Sequence, residues 1–261
     1  MAFPVEGTDS SAAVDLHQRE DGVVIGRTDA PSSLVEAVRR QAARSLSLDH
    51  DGSDWPVVGE RDPVIDRLQK SLGFLRPVCF YSAYEAATSF VIGQRISMRQ
   101  SARIKKWLGE ELGDRPTVDG HELVAFPRPE RLLEIAAIPG VNEKKVGWLH
   151  GIARAALDGR LATDALAAME RDHALATLRE LPGVGEFTAE AVWLRGCGVV
   201  DELPSSEPVS LRAAEQLYER KGLSRSDFEE LAEAWRPFRT WATVLLRVGW
   251  NRESGPHSYR Q

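Results

Sequence analysis

The sequence predicts a mainly α-helical protein with a small α+β domain at its front. Three observations carry that reading. From about residue 64 onward, apolar residues recur at helical spacing without sustained two-residue alternation. Along the same stretch, Ser, Asn and Asp stand ahead of apolar runs, and Gly or Pro stands behind them. Only residues 13–27 break the pattern: AVDLHQREDGVVIGR places short apolar runs on either side of Asp21-Gly22, which suits a hairpin.

The elements follow in order. SSLVEAVRRQAARSL, 32–46, has helical periodicity, and LDHDGSDWPVVGERDP, 48–63, reads as a connector rich in turn residues. Ser97 and Gln100 have capping-box spacing before ARIKKWLGEEL. Asn142 can cap EKKVGWLHGIARAALDG, which Gly159 would end. Asp172 can start HALATLREL, Ser224 and Asp227 open FEELAEAW, and Pro237 fits the first turn of FRTWATVLLRVGW. The expectation is a helical body of about eight to ten helices behind a small mixed appendage. Residues 1–68 form the small N-terminal domain, with the first dozen or so flexible, and residues 69–261 form the helical domain. Trp193, Trp235 and Trp241 sit at helical spacing among apolar neighbours and are expected in the core.

Composition bounds the function. The chain is 43% hydrophobic and 28% charged, ordinary values for a globular protein. Its net charge of -6 means that any contact with a polyanion must use local cations or main-chain amides rather than a general basic field. Two cysteines, Cys79 and Cys197, exclude a four-cysteine zinc or iron-sulfur site within the chain. The first thirty residues lack a basic start and an apolar run, and no stretch approaches membrane-spanning length, so a soluble protein of a reducing cytoplasm without a membrane partner is expected. A monomer is a separate expectation.

The most informative stretch is LPGVGEFTAEAV, 181–192, with a proline and two glycines between two helices. Helix, L-P-G-V-G, helix is the spacing of a helix-hairpin-helix. Gly183 and Gly185 can take positive φ and let the turn approach another molecule closely. The second helix would begin near Glu186, with free N–H groups and its positive dipole end facing outward, ready for a phosphate oxygen. A connection made only for packing has the same composition. IPGV, 138–141, echoes LPGV, 181–184, but two copies are too few for a solenoid.

Four segments extend the pattern: YEAATSFVIGQRISMRQSARI (84–104), IPGVNEKKVGWLHGIARAALDG (138–159), LPGVGEFTAEAVWLRG (181–196) and WRPFRTWATVLL (235–246). In this order they resemble the helix-hairpin-helix superfamily of DNA base-excision glycosylases, closest to the 3-methyladenine DNA glycosylase II branch. The resemblance covers about residues 70–250. It implies two helical subdomains flanking a cleft, and a monofunctional enzyme that flips a damaged, alkylated base out of double-stranded DNA and hydrolyses its bond to the sugar. It requires no metal or organic cofactor, although hairpin carbonyls hold a structural monovalent cation in relatives.

The resemblance also assigns roles. Gly183, Val184, Gly185 and Thr188 would grip the DNA backbone. Gln94 and Arg95 lie in the GQRIS turn, where relatives push a side chain into the gap left by the flipped base. Arg95 suits the wedge because a planar guanidinium stacks and hydrogen-bonds at once. Strand-cutting relatives carry a lysine nucleophile two residues after the second hairpin glycine, and here that residue is Phe187. Phe187 instead matches an aromatic position of the alkyl-purine pocket, where a π face stabilises a cationic base by about 0.5 to 2 kcal/mol. Arg99, Arg103, Lys105 and Lys106 could add phosphate contacts or form a solvated face.

The family supplies a catalytic aspartate from a stretch like D-x-x-P-x-x-D. This chain reads DELPSSEPVSLR from Asp201. Counting from Asp201 and Pro204 puts the slot on Glu207, whereas counting back from Leu211-Arg212 puts it on Pro208. Glu207 is favoured on physical grounds, because Pro208 suits the first turn of the next helix and the helix dipole favours a charged carboxylate just before it. Two rival readings remain: a lesion-sensing DNA-binding protein whose acid was lost, and a helical interaction scaffold without a nucleic-acid role.

Overall fold

The structure, a computed structural model, describes residues 1–206 and 208–254. The chain opens with β1 (Ala2–Pro4), β2 (Ser11–Ala13), β3 (Asp15–Gln18) and β4 (Val24–Arg27). There follow α1 (Val35–Ser45), α2 (Trp55–Arg61), α3 (Pro63–Leu72), α4 (Ala83–Gly93) and α5 (Met98–Leu112). After the short strands β5 (Thr117–Val118) and β6 (His121–Glu122) come α6 (Pro129–Leu133), α7 (Glu143–Leu157), α8 (Thr163–Ala167), α9 (Arg171–Arg179) and α10 (Glu186–Gly196). The chain ends with α11 (Pro208–Leu217), α12 (Arg225–Ala232), a 3₁₀ turn (Glu233–Trp235) and α13 (Arg239–Ser254). The fold is mainly α with a small N-terminal β part, as the sequence predicts. From α3 onward the helices exceed the count expected for the helical body because α6 and α8 have five residues each, too short to show a period.

Local signals fare well. The expected hairpin is β3–β4, with Gly22 at φ +85° in its turn. Ser97 accepts the Gln100 N–H, Asn142 accepts the Lys145 N–H, and Ser224 and Asp227 form a reciprocal capping box. α9 starts at Arg171 rather than Asp172, and Pro237 lies two residues ahead of α13 rather than in its first turn.

The chain divides into two compact units that interleave in sequence: Met1–Ser45 with Cys79–Cys197, and Leu46–Val78 with Gly198–Gln261. A single boundary at residue 68 does not describe this division. In the first unit, Phe3, Val5, Ala12 and Val14 pack against Val38 and Ala42 of α1, and Phe3 stacks on Tyr81 at 4.8 Å. β1 and β2 therefore belong to the core of the larger unit. The first dozen residues are paired and partly buried rather than flexible, with Ala2 opposite Ala13 and Phe3 fully buried. Arg44, itself buried, ties this strand pair down by pairing with Glu6 and Asp164.

α4 and α10 form the middle of the first unit. A side-chain carbon on Gly196 would lie 2.7 Å from the Ala86 Cβ, so glycine there permits the close approach. Glu85, in the first turn of α4, accepts the Tyr81 N–H at 3.2 Å. Burial pushes its carboxyl up to about 7, opposed by that hydrogen bond and by the Lys105 charge. The folded state thus holds a proton that the unfolded chain releases near 4.5, so the stabilisation present below that pH is lost as pH rises through about 7. Glu85→Gln is expected to flatten the fall in stability between about pH 5 and pH 8. Urea unfolding of both proteins across that range checks this, and parallel pH profiles would contradict it.

In the second unit, Trp55, Val58, Ile65 and Leu68 pack with Phe228, Trp235, Phe238 and Trp241 in one core. Trp235 and Trp241 are buried as expected. So is Trp193 in the first unit, where its indole N–H donates to the Leu166 carbonyl at 3.0 Å.

Candidate functional site

The segment after α9 is a hairpin fixed by buried Leu181 and Val184, and closed by the Val184 N–H donating to the Leu181 carbonyl at 3.1 Å. Gly183 has φ +78°, as expected, and a Cβ there would fall 2.5 Å from Trp148 Cε3. Gly185 departs from the expectation: its φ of -93° and ψ of -175° are extended. It matters for space instead, since nothing lies within 4 Å of where its Cβ would be. On the other side of the turn, a Cβ on Gly151 would fall 2.3 Å from Pro182 Cγ. Trp148 and Gly151 of α7 therefore form the bed on which the hairpin lies.

Gly185 is the N-cap of α10 and has no side chain to cap it. The first α10 N–H with a partner is that of Ala189, which donates to the Gly185 carbonyl at 2.8 Å. The N–H groups of Glu186, Phe187 and Thr188 have no hydrogen-bond partner among the described residues. Three free donors at the positive end of an eleven-residue helix attract an anion without any lysine.

The other sequence-predicted residues divide. Gln94 works inward: its Nε2 donates to the Gly183 carbonyl at 2.8 Å and to Thr188 Oγ1 at 3.3 Å. Thr188 is itself buried, so it can offer its main-chain N–H rather than its side chain. Arg95 works outward. It is exposed, makes no hydrogen bond or ion pair with a described residue, and has φ +59°. That conformation costs a non-glycine residue about 1 to 2 kcal/mol, and the turn is held in place from behind. Lys145 Nζ donates to the carbonyls of Ile92 at 3.1 Å and Gln94 at 2.9 Å. Phe187 is 47% exposed, so it is not a core aromatic. On α5, Lys106 pairs with Glu110 at 3.4 Å, whereas Arg99 and Arg103 are exposed.

Glu207 lies outside the described residues. Pro208 opens α11, as expected. The segment leading to Glu207 is anchored by residues that sequence reasoning did not single out. Arg239 donates to Asp201 Oδ1 through its Nε at 2.9 Å and its main-chain N–H at 3.2 Å. Arg236 reaches Asp201 Oδ2 at 2.9 Å. The Thr240 hydroxyl donates to the Glu202 carbonyl at 2.8 Å and accepts the Glu202 N–H at 3.1 Å, while the Thr240 N–H donates to the Val200 carbonyl at 2.9 Å. The signal was present in WRPFRTWATVLL, whose Arg and Thr are the anchoring residues. Asp201, clasped by two arginines, is committed to structure.

Among the described residues, no group of three or more His, Cys, Asp or Glu side chains is placed to hold a metal ion. Both cysteines are buried and free of disulfides. Two hairpin carbonyls, of Leu181 and Gly183, already accept hydrogen bonds, so a monovalent cation there would share them. No helix among the described residues is long and apolar enough to cross a membrane.

The helical units, the rigid hairpin and the bare α10 start define the fold of helix-hairpin-helix glycosylases. The 3-methyladenine DNA-glycosylase from Archaeoglobus fulgidus superposes with a TM-score of 0.79 at 22% identity, over 97% of this chain and 86% of that one. DNA-3-methyladenine glycosylase 2 of Escherichia coli (strain K12) is 31% identical over 191 residues, 68% of this chain and 62% of that protein. DNA-3-methyladenine glycosylase of Bacillus subtilis (strain 168) is 24% identical over 206 residues, 77% of this chain and 68% of that protein. No protein-family model matches the chain. The chain has the fold of the helix-hairpin-helix DNA glycosylases and is similar in sequence to relatives named 3-methyladenine DNA glycosylases. It spans less than two thirds of the length of the Escherichia coli relative.

Proposed function

We propose that the protein is a monofunctional DNA glycosylase that extrudes an alkylated, cationic purine from double-stranded DNA and hydrolyses its N-glycosidic bond. The bare α10 start carries this reading: three unpartnered N–H groups beyond a turn that Trp148 and Gln94 lock in place. An acidic chain with this feature can hold a phosphate by geometry and dipole, where a general basic field is lacking. Gly185, with open space around it, lets the DNA backbone approach those N–H groups.

The remaining residues divide the work. Extruding a base costs a few kcal/mol of stacking and pairing, and Arg95, held outward, fills the gap. Phe187 offers a π face to the positively charged purine. As the base departs, positive charge grows on the sugar, and the Glu207 carboxylate stabilises it. Water then adds to C1′ and loses a proton, while the bonding electrons leave with the base. A cationic purine leaves as a neutral molecule, so no general acid is needed. With Phe187 where an imine-forming lysine would stand, the DNA strand stays intact after base release.

The protein works in this reading as a monomer on damaged DNA, without metal or organic cofactor in the chemical step. Incubation with methylated duplex DNA tests it. Free methylpurine with an uncut strand is the expected product. Tight lesion binding without release would favour the sensor reading, and an absence of salt-dependent DNA affinity would favour the scaffold.

A further inference from the structure

The echo IPGV is left unexplained by the hairpin. It precedes α7 as LPGV precedes α10, but the two helix starts are satisfied differently. At α7 the Asn142 side chain already accepts the Lys145 N–H at 2.9 Å, whereas α10 starts on a bare glycine. The echo has charge instead. A cavity of about 400 Å³ opens beside it, lined by Arg95, Gly140, Asn142, Lys144, Lys145 and Trp148 among others, with three cations and no carboxylate. Partial burial and the Arg95 charge together hold the Lys145 ammonium below its usual pKa. Like charges brought together without an opposing acid repel one another until a counter-anion arrives.

We propose that this cavity is a second DNA anchor, in which Lys144 and Lys145 hold a phosphodiester group beside the Arg95 turn. It rests on the reading that the protein binds duplex DNA. A phosphate fits better than a base, because the aromatic ring at the site is already engaged. Lys144 Nζ lies 5.3 Å from the Trp148 ring centroid, and Gly183 packs against the same indole. Lys145 directs two of its N–H groups at carbonyls and retains a third. Trp148 thereby joins the two anchors, touching the hairpin through Gly183 and the cationic cavity through Lys144. Their spacing is fixed by one rigid side chain, which sets the register of the bound strand.

Affinity for an undamaged duplex oligonucleotide, measured by fluorescence anisotropy across salt concentrations, tests the assignment. Lys144→Gln is expected to weaken binding several-fold at low salt and to reduce the slope of log affinity against log salt by about one. Lys144→Arg should restore both, and Gly185→Asp serves as the hairpin control. Suppose the parent binds with a steep salt dependence and Gly185→Asp weakens it. If Lys144→Gln then changes neither affinity nor slope, the second anchor is wrong while the proposed function stands. A loss that varies with the base sequence of the duplex, at unchanged slope, would mean that the cavity takes a base and would overturn the phosphate assignment. A parent protein without salt-dependent binding would overturn both readings.

Discussion

Glu207→Gln is expected to slow release of methylated purines from duplex DNA by about 100- to 1000-fold, the range seen when one charge-stabilising group is removed from a transition state. That corresponds to about 3 to 4 kcal/mol. Gln keeps the size of the side chain and removes its charge, so the loss reports electrostatics rather than shape. DNA affinity should hold or rise, because the substitution removes one negative charge from a chain proposed to bind a polyanion. Asp201 is a competing acid close by in sequence, but its oxygens are shared between Arg236 and Arg239, so its charge is already paired. Those contacts hold the segment that leads to Glu207, and a misplacement near 1 Å can cost about a hundredfold. Single-turnover base release at saturating protein makes the comparison free of product release. A Gln variant within about threefold of the parent, far short of the expected range, would remove Glu207 from the mechanism.

The hairpin was legible because its constraints are local. A proline, two glycines and a helix start suffice to place it, and Gly183 adopts the conformation that its residue type allows. Side-chain direction was less legible. The sequence reading puts Gln94 and Thr188 themselves at the DNA, yet their side chains bond each other and the hairpin, where α4 packs on α10. The strand pair β1–β2 escaped notice because SAA has weak strand propensity, and burial of Phe3 and Val5 against α1 supplies what the sequence lacks. α2 escaped because WPVVGER sits among turn residues. Its Pro56 occupies the first turn, where no N–H is needed, and a Cβ on Gly59 would fall 3.0 Å from Asp66 Cα. The interleaving of the two units is a purely tertiary fact, with no local signature at residues 46 or 79.

Asp62→Ala is expected to destabilise the second unit by about 3 to 5 kcal/mol, because Asp62 is a buried carboxylate satisfied, among the described residues, by four donors and no cation within salt-bridge distance. Its Oδ1 caps α3 by accepting the N–H groups of Val64 at 2.9 Å and Ile65 at 3.1 Å. Its Oδ2 accepts the Tyr218 hydroxyl at 2.5 Å and the Trp235 indole N–H at 2.8 Å. Burial first, and the Asp62 charge second, push the Tyr218 phenol well above its usual pKa, so it stays a donor at any working pH. Losing the cap costs about 1 kcal/mol, and each buried donor left without a partner costs about 1 to 3 kcal/mol more. Thermal unfolding should shift down by about 10 °C. Asp62→Asn should lose less: it keeps a capping oxygen, and the Tyr218 hydroxyl can turn to accept from the new amide, but the Trp235 N–H has no such freedom. Trp235 also begins the WRPFRT segment, whose Arg236, Arg239 and Thr240 anchor residues 200–202. Slack at Asp62 should therefore slow base release at temperatures below unfolding, through the segment that leads to Glu207. An Ala variant that unfolds within about 1 kcal/mol of the parent, less than the smallest sum of these costs, would show that Asp62 is not the hub its hydrogen bonds describe.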